Sequence, residues 1–267
     1  MTGYEATPIH LDLDDRFYRR VEPARFPIHR LRWRNDRAAA TVGLADLNNS
    51  EWIDHFACFR PLADNIQTPL ALCYHGHQFG HYNPDLGDGR GFLYAQLRAD
   101  DGRILDLGTK GSGTTPFSRK ADGRLTLKGA VREILATEML EALGVNTSRT
   151  FSVIETGESL ERHDEPSPTR SAVLVRLSHG HVRIGSFQRL RFMEDAEGIE
   201  TLMRHTVRHH FAGTLDADAP VNELAPRFLA AVAAGVADTA GAWMAAGFVH
   251  GVLNTDCLLY TSDAADE

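Results

Sequence analysis

From residue 127 to residue 143 apolar side chains recur three and four positions apart: Leu127, Ala130, Val131, Ile134, Leu135, Met139, Leu140 and Leu143. That period predicts an amphipathic helix, and Gly144 stands where its C-terminal cap belongs. Upstream the pattern changes. Residues 61–125 are dense in glycine (Gly76, Gly80, Gly87, Gly89, Gly91, Gly102, Gly108, Gly111, Gly113, Gly123), with apolar runs at 92–97 and 104–107 between them. Short strands joined by tight turns fit this pattern. Two more strands are predicted at 150–155 and 171–177, with a polar loop between. From about Glu197 the helical period returns, in one helix through Phe211 and an Ala-rich one from about Asn222. The stretch 228–249 is the most apolar, yet it carries Asp238 and many small residues. It predicts a buried, tightly packed helix rather than a membrane span. Residues 1–60 are irregular and are expected to pack as an extension on the rest of the chain. Strands, a helix, strands, then helices predict an α+β protein with a sheet-rich lobe and a helical lobe.

The 267 residues are 43% apolar and 24% charged, ordinary usage for a globular chain. Lys and Arg number 28 against 36 Asp and Glu, a net charge of −8. That balance argues against a generic nucleic-acid binder, so any anion site must be built locally. The three cysteines, Cys58, Cys73 and Cys257, share no metal spacing, and their odd count does not suit a disulfide framework. The first fifteen residues show no basic start followed by an apolar run. A reducing, cytoplasmic setting with no membrane partner is expected. The thirteen histidines include the pairs His75/His77, His179/His181 and His209/His210. None falls in a zinc motif, and no structural zinc is expected.

Four segments carry candidate chemistry. In LGDGRG at 86–91, glycines at alternate positions let backbone amides approach a ligand, and Arg90 suits a phosphate; a plain hairpin turn reads equally well. In DLGTKGSG at 106–113 the P-loop order is absent, but Lys110 at a strand end among small residues can neutralise phosphate. Its partner would be a glutamate on the following helix. Glu133 lies at the edge of the apolar stripe and Glu138 inside it, so periodicity alone selects Glu138. Residues 166–193 hold no Asp or Glu, while Arg170, Arg176, Arg183, Arg189 and Arg191, with His179 and His181, lie there. This positive island suits a polyphosphate; for Arg189 and Arg191, pairing with acids elsewhere is expected. Finally, HGVLNTD at 250–256 gathers His, Asn and Asp after a helix, where Asp256 is placed to accept a proton or meet a metal.

Together these segments resemble the SelO (YdiU) family of protein adenylyltransferases, which have a pseudokinase fold. The strings that carry the resemblance are GHQFG at 76–80, LGDGR at 86–90 and KGSGTTPFSR at 110–119. DGR at 122–124, RE at 132–133, LG at 143–144, SH at 178–179 and HGVLNTD at 250–256 match as well. The resemblance implies a kinase-like bilobal fold: a nucleotide-binding lobe over 61–178 after the extension 1–60, then the start of a helical lobe over 179–256. It implies transfer of AMP from ATP to Ser, Thr or Tyr hydroxyls of protein substrates, with Mg²⁺ or Mn²⁺. Lys110 is then the phosphate-contacting lysine and Glu133 its helix partner, against the choice from periodicity. Gly87, Gly89, Arg90, Asp122 and Gly123 become nucleotide-binding residues, Arg176 and Arg183 pocket arginines, and Asp256 the proton acceptor.

Two departures accompany the resemblance. The family has a metal-binding Asn directly after this Asp, where this chain has Cys257, and a second metal-binding Asp beyond it finds no counterpart. The metal ligands are therefore unknown. Residues 257–267 are expected to be a non-native tail and the chain an inactive truncated form. The rival functions are a protein kinase that transfers the γ-phosphate and an ATP-binding scaffold without catalysis.

Overall fold

The computed structural model describes residues 3–78, 80–251 and 253–258. Its strands are β1 (Tyr18–Arg20), β2 (Arg30–Arg34), β3 (Leu70–Leu72), β4 (Gly76–Gln78), β5 (His81–Asn83), β6 (Leu93–Arg98), β7 (Ile104–Lys110), β8 (Leu125–Thr126), β9 (Arg149–Leu160) and β10 (Thr169–Ser178). Its helices are α1 (Asp36–Ala40), α2 (Asn49–Phe56), α3 (Leu127–Ala142), α4 (Ile184–Phe192), α5 (Ala196–His210) and α6 (Val221–Ala245). Eight strands form one antiparallel sheet in the order β1-β3-β6-β7-β10-β9-β2, with β8 paired to β10. β4 and β5 form a separate hairpin. The protein is thus α+β, as its pattern predicted. The segment before residue 61, expected to be irregular, supplies both outermost strands of this sheet.

Strand alternation sorts the side chains. Leu105, Leu107, Val173, Val175 and Leu177 enter an apolar core with Ala38 and Ala39 of α1 and Trp52 and Phe56 of α2. On the opposite face, Leu70, Leu72 and Leu93 pack with Leu190 of α4 and Leu202 of α5. Helix ends carry local signals. Asn48 and Glu51 form a capping box on α2, and the Thr126 hydroxyl accepts the Gly129 N–H at the start of α3. At the other end of α3, Gly144 takes φ +75°. The Val145 N–H then reaches Leu140 O and the Gly144 N–H reaches Glu141 O, both at 3.0 Å, which satisfies carbonyls the last turn leaves open.

Two helices bury different faces from those predicted. α3 buries Ala130, Glu133, Thr137 and Leu140, while Val131, Leu135, Met139 and Leu143 are exposed. The predicted stripe was too broad, because a polar edge of the helix is turned toward the cations of β7 and β10. α6 was expected to be a buried, tightly packed helix. It buries Leu224, Phe228, Val232, Thr239 and Trp243 along one edge, against α5 and Leu140 and Val145, and leaves Leu229 and Met244 exposed. By length and composition α6 also matches a membrane-crossing helix.

Candidate functional site

Period two places Asp106, Gly108 and Lys110 on one face of β7. The antiparallel register sets Leu174 beside Lys110, Arg176 beside Gly108 and Ser178 beside Asp106, so these share that face. A cleft of about 320 Å³ opens there. Gly87, Gly89, Arg90, Lys110, Arg176, Arg183 and Asp256 all line it. The sequence drew these residues from four separate segments; the fold brings them to one place. Arg90 and Lys110 also line a neighbouring cavity of about 730 Å³ together with Arg132 and Glu133.

The glycine turn has a packing reason that the sequence did not show. A Cβ at Gly87 would lie 2.3 Å from the Phe117 ring, and one at Gly91 would lie 1.9 Å from Thr109 O. The Thr115 hydroxyl donates to Asp88 O at 2.6 Å and the Ser118 hydroxyl donates to Gly89 O. The segment after β7 therefore lies directly on the turn, and only glycine admits it so closely.

Lys110 and Arg176 share one carboxylate. Lys110 Nζ donates to Glu133 Oε1 and Arg176 Nη2 donates to Glu133 Oε2, with all three side chains buried. Glu138 turns away and pairs with Arg37 at 2.7 Å and Asn35 at 3.2 Å. Arg90 stands close enough to repel Lys110. Burial alone would raise the Glu133 carboxyl, but Lys110 and Arg176 hold it below the ordinary range. Burial, joined by repulsion from Arg90 and Arg176, brings Lys110 down to about 8 against the pull of Glu133. The cations gathered at this end of the cleft suit an anionic ligand.

Arg183 occupies the other end. Its Nη2 lies 3.2 Å from Asp88 Oδ1, and its guanidinium carbon lies 4.3 Å from the centre of the Tyr74 ring. Its Nε is buried with no hydrogen-bond partner among the described residues. Burial would lower this guanidinium, and Tyr74, Asp88 and Asp256 more than offset that, so it stays charged. Asp88 is anchored in turn by the Leu72 N–H at 2.9 Å. Asp256 is buried on a loop held against the start of α4. Gly185 N–H donates to Thr255 O at 3.0 Å and Ile184 N–H to Leu258 O at 3.1 Å. On the far side, a Cβ at Gly76 would meet Asp256 Oδ1 at 3.0 Å.

Not every expected residue reaches the cleft. Ala121 lines it, but Asp122 and Gly123 do not. Asp122 pairs with Arg162 at 2.8 Å and accepts the Arg124 N–H at 3.0 Å. Gly123 O accepts the Gly113 N–H at 3.1 Å. Arg189, expected to pair with an acid, donates to Arg16 O instead. Asp88, which stands inside the LGDGR string, lines the cleft without having been singled out, and His181 of the positive island pairs there with the buried Asp106, 75 residues away in sequence.

The described residues do not fit a magnesium site. No group of three or more His, Cys, Asp or Glu side chains gathers among them. Beside Asp256 stands the fully buried Cys257, which offers sulfur where this cation takes oxygen. No chemistry is therefore assigned to a metal. The expected tail at 257–267 lies outside the described residues from 259 onward.

Comparison with known proteins shows the family. The family model described as protein adenylyltransferase SelO matches residues 2–266. A protein nucleotidyltransferase YdiU of Synechococcus elongatus is 48% identical over 265 residues, 97% of this chain and 51% of its own. Those of Gloeobacter violaceus and Teredinibacter turnerae are 48% and 38% identical, covering 97% and 96% of this chain and 52% of each relative. The chain spans about half the length of the curated relatives it matches. With the model spanning nearly every residue, the chain belongs to the SelO family.

Proposed function

We propose that the cleft binds ATP and that the protein acts in transfer of AMP to Ser, Thr or Tyr hydroxyls of protein substrates, on a kinase-like bilobal scaffold. The observation that carries this reading is the convergence of Arg90, Lys110, Arg176 and Arg183 on one cleft, with Asp256 in the same lining. The cations neutralise the triphosphate and the developing charge. The hydroxyl oxygen attacks the α-phosphorus, its proton passes to the Asp256 carboxylate, and the bond to the β-phosphate oxygen breaks to release pyrophosphate. We further propose that this chain transfers AMP poorly, because a thiol stands beside Asp256.

The test traces label into protein from α-³²P-ATP and γ-³²P-ATP, using this chain and a version extended with the C-terminal half of a relative. Label from the α position only, in the extended version, is the expected result. Label from the γ position would instead make the protein a kinase. ATP binding without any transfer by the extended version would make it a scaffold. Equal transfer by both versions would show that Cys257 is no obstacle.

A further inference from the structure

A second polar assembly adjoins the cleft, and the nucleotide reading leaves it unused. The Asp106 side chain is completely buried. Its Oδ1 accepts Gln96 Nε2 at 2.8 Å, and its Oδ2 lies 3.2 Å from His181 Nδ1. Gln96 is held in turn. Its Nε2 also meets His10 Nδ1 at 2.9 Å, and its Oε1 accepts the His10 backbone N–H at 2.8 Å. Burial brings His10 down to about 4, so its ring is neutral near pH 7 and Nδ1 serves as the acceptor. With both amide hydrogens and the carbonyl engaged, Gln96 fixes Asp106, and the Asp106 carboxylate takes the Nδ1–H of His181. That assigns the tautomer and leaves Nε2 as the working atom of His181.

Nε2 is aimed by the strand beneath it. A Cβ at Gly108 would lie 2.0 Å from His181 Nε2, so the ring rests over a backbone position that only glycine leaves open. Gly108 is paired with Arg176, and His181 lines the cleft with Arg176 and Arg183. In steps of two residues β7 therefore presents an anchor, a gap and a cation: Asp106 holds the imidazole, Gly108 seats it and Lys110 faces the cleft. A side chain needed only to fill this space has no use for a buried carboxylate, whose desolvation is costly.

We infer that His181 is a further phosphate-binding residue of this cleft, positioned by Asp106 so that Nε2 meets a phosphate oxygen of a nucleoside polyphosphate. The inference rests on the nucleotide reading of the cleft. Nε2 donates to the phosphate oxygen when the ring carries both protons, the form in which Nδ1–H faces Asp106 and Nε2–H the phosphate. Asp106 acts only through the ring.

The alternative is that the pair merely ties the loop before α4 to β7, and His181→Asn separates the two. The Asn amide nitrogen takes the place of Nδ1 and keeps the bond to Asp106, but nothing replaces Nε2. ATP and adenosine are titrated calorimetrically into the 267-residue chain and its variants, with thermal melting alongside. His181→Asn should bind ATP about tenfold more weakly, with adenosine affinity and melting unchanged. His181→Gln, whose amide reaches the Nε2 position, should stay within about threefold of wild type. Asp106→Asn should add no further loss of ATP affinity in the His181→Asn background. ATP binding by His181→Asn within about twofold of wild type overturns the inference while leaving the nucleotide reading intact. Failure of the unsubstituted chain to bind ATP overturns both. If the variants melt early, the ¹⁵N-histidine spectrum of the unsubstituted chain decides. The His181 Nε2 signal should move with ATP and not with adenosine, and a signal unmoved by ATP overturns the inference.

Discussion

The two faces of β7 and β10 are built from alternate residues of the same strands, yet they do opposite work. One face sends Leu107, Val173, Val175 and Leu177 into a core closed by Trp52, Phe56 and Phe151. The other carries Asp106, Lys110 and Arg176, whose charges are met by His181 and Glu133. Apolar burial stabilises whatever the exact partners are. Buried charge is tolerated only where each group finds its counterpart, and it contributes little net stability even then. The first face is therefore expected to hold the fold together and the second to hold a ligand.

The comparison breaks most readily at Trp52. This fully buried ring stacks on Phe151 with centroids 4.9 Å apart and donates to the Ser152 hydroxyl at 2.9 Å. Trp52→Ala should cost about 3–5 kcal/mol of stability, measured by denaturant unfolding, while ATP affinity under native conditions changes little. A cost under about 1 kcal/mol would show that the apolar face is not the source of stability.

Glu133→Gln tests the polar face. It leaves Lys110 and Arg176 buried without a carboxylate and should cost about 3 kcal/mol near pH 7. The folded Glu133 carboxyl titrates below its ordinary 4.5. Its contribution is therefore complete above that value and is lost as the pH falls through the lower, folded one. The gap between wild type and variant should accordingly close in acid; a gap that is constant down to pH 3 would detach Glu133 from the ion cluster.

The smallest effect on the fold and the sharpest on the ligand is expected from Lys110→Met. Stability should change by less than about 1 kcal/mol, since a buried cation is exchanged for an apolar chain of similar length. ATP affinity should fall at least tenfold, about 1.4 kcal/mol. Because Lys110 lies at about 8 rather than 10.5, unsubstituted protein should bind ATP more weakly as the pH rises above 8, and Lys110→Met should not. Over the same window the folded state holds fewer protons than the unfolded one, so the unsubstituted protein should gain stability relative to the variant. ATP affinity that is flat from pH 7 to 10 in both would remove Lys110 from the site.

Much of the frame was legible because local rules decide it. Strands at 92–97, 104–107, 150–155 and 171–177 and the helix at 127–143 appear in the structure, the last three strands longer than predicted where pairing partners permit. The site strings were legible as well, because glycines and cations at fixed offsets carry a mechanism. Missed entirely were α4 and, before residue 61, β1, β2, α1 and α2, which are short and lack a clean period.

The chain by itself determined most strands and helices after residue 61 and that Lys110, Arg90, Arg176, Arg183 and Asp256 are chemical candidates. Period, caps and charge spacing act over a few residues and can be read in one dimension. The tertiary structure decided that Glu133 rather than Glu138 faces Lys110, as the family resemblance implied and against the helical period. A carboxylate is buried where cations of other strands await it, and that depends on the register of β7 against β10. The same holds for His181 over Gly108. No local pattern links a histidine to an aspartate 75 residues earlier, because what joins them is the pairing of two strands and the empty space above one glycine.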